Sequence, residues 1–181
     1  MPEIIAVANQ KGGVGKTTTS VNLAAALHAT GKKTLLVDLD TQGNATTACG
    51  IDKSNLEASV YDLFVGAATA DAALVHPETN GFWVLPANKD LMAAEIQLLE
   101  FRDREFQLKQ ILAGISPRFD YVLIDTPPSM NILTINALAA ADGVIIPVQC
   151  EYYALEGLTG LLETINKIQE KINPKLTIKG V

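Results

Sequence analysis

Six short runs in this chain of 181 residues are almost continuously apolar: "IIAVA" (4–8), "TLLVD" (34–38), "FWVLP" (82–86), "YVLID" (121–125), "GVIIPV" (143–148) and "LTIKGV" (176–181). A strand with one wet face alternates apolar and polar residues, whereas a strand covered on both faces does not. Between the runs lie helical patterns over about 16–30, 91–115, 131–141 and 153–172. In the last of these, Leu158, Leu161, Leu162, Ile165, Ile168 and Ile172 recur at helical spacing, with Glu163, Lys167 and Lys171 between them. That stripe suits a helix packed on a sheet better than a membrane-binding face. The alternation predicts an α/β fold: a doubly wound, mostly parallel sheet with helices on both faces. Ligands of such sheets sit beyond the carboxyl ends of the strands. The length suits a single domain spanning residues 1–181. The last strand-like run reaches Val181 with no helix after it, which predicts that a C-terminal portion is lacking.

The first strand leads into "NQKGGVGKTTTS", residues 9–20, and then into a helix from Lys16. Strand, glycine-rich turn and helix are the setting that a phosphate loop requires. Gly12, Gly13 and Gly15 allow successive N–H groups, with Val14 between them, to point into one concavity. The helix adds its N-terminal donors and the positive end of its dipole. Lys16 places a cation for the β- and γ-phosphates, the Thr17 hydroxyl suits Mg²⁺, and Thr18 reaches the α-phosphate. In one place the loop departs from G-x-x-x-x-G-K-[ST]: Gln10 occupies the first glycine position, and Lys11 follows it.

Further along, "VDLDTQGNAT" sends Asp38 and Asp40 out of the end of a strand, and "YVLID" delivers Asp125 to another strand end. Asp125 is placed as a carboxylate that holds Mg²⁺ through a water, since Mg²⁺ dehydrates reluctantly. Pro127 and Pro128 stiffen the loop that follows.

The net charge of −6 disfavours non-specific nucleic-acid binding by the whole surface and leaves room only for a local basic patch. Cys49 and Cys150 form no spaced ligand set, which reads as two reduced thiols. No basic segment followed by an apolar stretch opens the chain, and no run of about 18 apolar residues occurs. A soluble, cytoplasmic protein is expected. His28, His76 and Trp83 read as ordinary surface or core residues.

"KGGVGKTT" resembles the deviant Walker A motif. More narrowly, "ANQKGGVGKTTTSVNLAAAL", "LLVDLDTQGNAT", "YVLIDTPPS" and "PVQCEYYALEGL" are similar to the ParA/Soj family of chromosome- and plasmid-partition ATPases. The likeness extends from Ile4 to Val181, with Thr41 standing where the family commonly has proline. It implies ATP and Mg²⁺ as cofactors and ATP hydrolysis as the reaction. Asp40, in switch I, would position the attacking water, and Asp38 would support the magnesium site. Lys11 would cross a dimer interface to the partner's nucleotide. The resemblance further implies an ATP-sandwich homodimer, non-specific DNA binding, nucleoid association when ATP is bound, and a DNA-bound partner of the ParB/Spo0J type. The family's DNA-contacting residues lie largely beyond Val181.

Two relatives of this superfamily offer other functions. An iron–sulfur carrier needs suitably placed cysteines, and "TPPSMN" after Asp125 has none. A membrane-recruited cell-division ATPase of the MinD type needs an amphipathic C-terminal helix, with which this chain does not end. "DTQGNAT" and "CEYYALEG" resemble the partition branch instead, and no membrane partner is expected.

Overall fold

The computed structural model describes residues 2–150 and 154–181, with the side chains of 154–156 left aside. The strands are β1 (Glu3–Val7), β2 (Thr34–Asp38), β3 (Trp83–Leu85), β4 (Tyr121–Asp125), β5 (Gly143–Ile145) and β6 (Thr177–Gly180). They form one six-stranded sheet in the order β3-β2-β4-β1-β5-β6, and every pairing between them is parallel. The helices are α1 (Lys16–Ala29), α2 (Asn44–Ala48), α3 (Val60–Phe64), α4 (Ala70–Ala73), α5 (Leu91–Gln97), α6 (Gln107–Ile115), α7 (Ile132–Ala140) and α8 (Ala154–Lys171). The helix start read from "CEYYALEG" falls partly on residues 151–153, which lie outside the described residues.

The continuous apolar runs are explained by two separate cores. Successive residues of a strand point to opposite faces of the sheet. Ile5, Leu36, Val84 and Leu123 face the side where α1 packs with Ala24 and Val21. Ala6, Leu35, Val37, Val122 and Ile124 face the other side, against Leu108, Leu112, Leu133, Leu138, Leu161 and Ile165 of α6, α7 and α8. Both faces are therefore dry over the inner strands, as the doubly wound reading requires, whereas β6, at the edge beside β5, is exposed along its length, contrary to its apolar run.

One expected helix is broken. The pattern over 91–115 folds as α5, a 3-10 turn at Leu98–Glu100, a second at Arg104–Phe106, and α6. Phe101 has an extended backbone at φ −80° and ψ 140°. Just after this break, another element engages the groups that a continuous helix would pair. In a continuous helix the Leu108 N–H would donate to the Arg104 carbonyl, four residues back. Instead the buried Asn136 side chain of α7 takes both groups. Its Oδ1 accepts from the Leu108 N–H at 3.0 Å, and its Nδ2 donates to the Arg104 carbonyl at 2.8 Å.

The sheet register sets the site. Val7, Asp125 and Asp38 are partners across β1, β4 and β2, so their strands end level with one another. The loop after β1 and the carboxylates that end β2 and β4 are thereby brought to one edge.

Candidate nucleotide-binding and hydrolysis site

The loop after β1 is held from three directions. The Asn9 Nδ2 donates to the Pro147 carbonyl at 2.7 Å, while Asn9 Oδ1 accepts the Lys11 N–H at 3.0 Å. The Gln149 Nε2 donates to the Gly13 carbonyl at 3.0 Å. On the β4 side, the buried Thr126 hydroxyl donates to the Val7 carbonyl at 2.8 Å. Gly15 precedes α1 with φ +93°, a conformation that disfavours a side chain, and no side chain caps the helix there. The first N–H groups of α1, which have no partner within the helix, are left for a ligand.

A cleft of about 340 Å³ opens over this helix end, lined by Gly12, Gly13 and residues 15–18 of the loop together with Asp40, Asn44 and Pro128. Lys16 is 6% exposed, and its Nζ donates to the Lys11 carbonyl at 3.1 Å, which folds the side chain back along the loop. Burial lowers the Lys16 pKa, and the charges of Asp125 and Asp40 work against that shift. The cation is thus poorly hydrated and ready for an anion.

Asp125 is fully buried beneath the cleft. It accepts from the Thr17 hydroxyl at 2.7 Å and from the Ser20 hydroxyl at 2.9 Å. Burial pushes its pKa up to about 6 against the pull of the two hydroxyls, with Asp40 raising it further and Lys16 lowering it. Thr17 donates its proton to Asp125 and keeps lone pairs on a hydroxyl that lines the cleft. Hard oxygen donors of this kind fit Mg²⁺, which takes one or two protein groups and completes its shell from phosphates and water. Among the described residues no cluster of three or more His, Cys, Asp or Glu side chains is placed to hold a metal ion unaided.

Asp40 is 7% exposed and lines the cleft, with Oδ1 accepting the Gln42 N–H at 2.9 Å and its carbonyl accepting the Gly43 N–H at 2.8 Å. Asp38 lies behind it, wholly buried. Both of its oxygens are taken: Oδ1 by the Asp40 N–H, and Oδ2 by the Thr46 N–H and hydroxyl. Burial raises its pKa to about 7, with the Thr46 hydrogen bonds opposing and Asp125 reinforcing the rise.

The fold thus brings Gly12, Gly13, Gly15, Lys16, Thr17, Thr18 and Asp40 around one cleft, with Asp125 and Asp38 under it. Val14 is buried in the loop, and Lys11, half-buried, meets Lys16 through its carbonyl; neither lines the cleft. Sequence reasoning passed over Ser20, Asn44 and Thr46, and read Pro128 as stiffening the loop after Asp125, which the structure brings to the cleft. Ser20 had a legible signal, since it stands three and four residues after Thr17 and Lys16 on the same helix face.

A family model described as "AAA domain" matches residues 2–178. The sporulation initiation inhibitor protein Soj of Bacillus subtilis is 51% identical over 181 residues, covering 100% of this chain and 69% of Soj. The chromosome partitioning protein ParA of Caulobacter vibrioides is 47% identical over 180 residues, covering 98% of this chain and 67% of that protein. This chain belongs to the ParA/Soj family of partition ATPases. A solved structure from Mycobacterium smegmatis, described as a cobyrinic acid a,c-diamide synthase with bound ATP analog and magnesium, superposes with a TM-score of 0.95. It is 46% identical and covers 98% of this chain and 72% of its own. As a ParA/Soj member the chain is an α/β phosphate-loop ATPase that depends on ATP and Mg²⁺. The family's working form is an ATP-dependent, DNA-associated homodimer, and membership places the chain in the cytoplasm with the nucleoid. Among the described residues no helix is long and apolar enough to cross a membrane.

Proposed function

We propose that this chain is a nucleotide-driven switch of ParA type, serving chromosome or plasmid partition, with the residue roles that follow. The observation that carries the reading is the convergence of Lys16, Thr17 and Asp40 on one cleft directly above the buried Asp125. Loop amides from Gly12 to Thr18 bind the phosphates, and Lys16 leaves the Lys11 carbonyl for the β- and γ-phosphates. Thr17 and Asp125 hold the magnesium, which when bound supplies charge neutralisation across the transferred phosphate. Asp38 braces this edge from behind. Asp40 orients the attacking water, because phosphoryl transfer asks for positioning more than covalent help. Lys11 acts across a two-fold interface on the partner's nucleotide. The ATP-bound dimer holds DNA non-specifically, and a DNA-bound partner of the ParB type stimulates hydrolysis and release.

The test is thermal melting with Mg²⁺ and either ATP or GTP. A ligand at about a hundred times its Kd stabilises the fold by about 2.7 kcal/mol, a clear shift in Tm. ATP with Mg²⁺ should give that shift and GTP a smaller one. Equal shifts with both, or none with either, would overturn the assignment. For the DNA arm, affinity should require ATP and fall with salt by about 0.9 in log K per phosphate neutralised and per decade of salt. Salt-insensitive binding would overturn that arm.

A further inference from the structure

The segment "LLVDLDTQGNAT" supplies Asp38 and Asp40 and ends on Thr46. Thr46 is fully buried in α2. Its hydroxyl donates to Asp38 Oδ2 at 2.7 Å and accepts the Ala87 N–H at 2.9 Å. Its own N–H also donates to Asp38 Oδ2, at 2.8 Å. The other oxygen, Asp38 Oδ1, accepts the Asp40 N–H at 3.0 Å. One hydroxyl thus ties the chain leaving β3 to the end of β2, and the line of hydrogen bonds ends on the backbone of the residue that faces the cleft. Gly43 keeps α2 close to the same anchor: a Cβ there would stand 2.8 Å from the Ala87 carbonyl oxygen.

We propose that Thr46 is a positioning residue for hydrolysis, which through Asp38 fixes the Asp40 backbone and so the place of the Asp40 carboxylate in the cleft. The proposal rests on the reading of Asp40 as the group that orients water. A hydroxyl can donate to a carboxylate and accept from an amide at once, whereas an isosteric methyl can do neither. Its loss takes a donor from Asp38 and leaves the Ala87 N–H without its partner in a dry place. Asp40 is then held by fewer fixed groups, and a small misplacement of a water-orienting carboxylate costs rate steeply. Nucleotide affinity should hardly change, since the phosphate contacts belong to the loop from Gly12 to Thr18.

The experiment compares Thr46→Val, Thr46→Ala and Thr46→Ser with wild type and Asp40→Ala in the whole protein, measuring ATP Kd, turnover and Tm. Both hydroxyl-free variants should bind ATP within about threefold of wild type and lose turnover by about ten- to a hundredfold. Thr46→Ser, which keeps the hydroxyl, should recover turnover to within about threefold. Thr46→Ala leaves room for a water at the Ala87 N–H, so it carries the comparison if the valine variant does not fold. The proposal is overturned if either folded hydroxyl-free variant turns over ATP at the wild-type rate. It is equally overturned if affinity falls as far as turnover, or if serine restores nothing. If Asp40→Ala itself turns over like wild type, the underlying reading of Asp40 fails. If Asp40→Ala is inactive while Thr46→Val and Thr46→Ala are not slowed, the proposal alone fails.

Discussion

Replacing Asp125 with asparagine should make the nucleotide-free protein more stable at pH 8 than at acid pH, relative to wild type. The carboxyl is buried, and its pKa is raised from the ordinary 3.8 to about 6. A group whose folded pKa lies above its unfolded value binds protons more tightly when folded. Wild type therefore carries no penalty well below pH 3.8, loses stability as pH rises from there to about 6, and carries the whole penalty above that. At about 1.36 kcal/mol per pH unit the penalty reaches about 3 kcal/mol. Asparagine removes the ionisation and keeps the shape. The Thr17 and Ser20 hydroxyls, which now both donate to the carboxylate, can reorient so that one donates and the other accepts. Removing Asp125 also takes from Lys16 one of the two charges that support it, so the net gain at about pH 8 is about 1–3 kcal/mol. Urea denaturation from about pH 4 to pH 8, without nucleotide, measures the difference, and the Mg²⁺-ATP melting shift of the same variant should shrink. The reasoning is refuted if the variant is no more stable than wild type at about pH 8, or if the gap is the same at about pH 4.

Three further outcomes are expected. Asp40→Ala should retain ATP and lose turnover in a single-turnover assay, because the phosphates are held by the loop and Lys16; unaltered hydrolysis would remove Asp40 from its role. Lys11→Ala and Asp40→Ala should each be inactive alone and regain hydrolysis on mixing, since one site of the heterodimer then has Asp40 in its own subunit and Lys11 from its neighbour. If heterodimers form and stay inactive, Lys11 does not act across the interface. Gly43→Ala should destabilise by about 1–3 kcal/mol and lower Tm, because φ is +61° and the new Cβ meets the Ala87 carbonyl oxygen at 2.8 Å; an unchanged Tm would refute it.

Much of this molecule was legible along the chain because its signals are local. Apolar runs without alternation specify strands buried on both faces; six runs became the six strands of the sheet, with ends shifted by a few residues, but β6 at the sheet edge is exposed along its length. The loop from Gly12 to Thr18 was legible from backbone freedom and helix-end chemistry within ten or so residues, although Gln149 also braces it from the far end of the chain. Asp40 and Asp125 could be placed near the loop because strand ends in a parallel sheet point the same way. What the chain order could not supply was register and third-party hydrogen bonds. The apolar spacing of Leu91, Ala94, Leu98, Leu108, Leu112 and Ile115 suits one long helix, and nothing local forbids it. The chain instead turns extended at Phe101, and Asn136, well over twenty residues away, takes the N–H and the carbonyl that the helix would have paired at Leu108 and Arg104. Asp38 read as a second acidic group for the site, and only the alignment of β2 with β4 and the approach of Thr46 put it beneath the cleft with both oxygens engaged. Periodicity and turn chemistry are properties of neighbours in sequence. A buried carboxylate's partners are decided by which strands lie side by side, and that is a property of the packed chain.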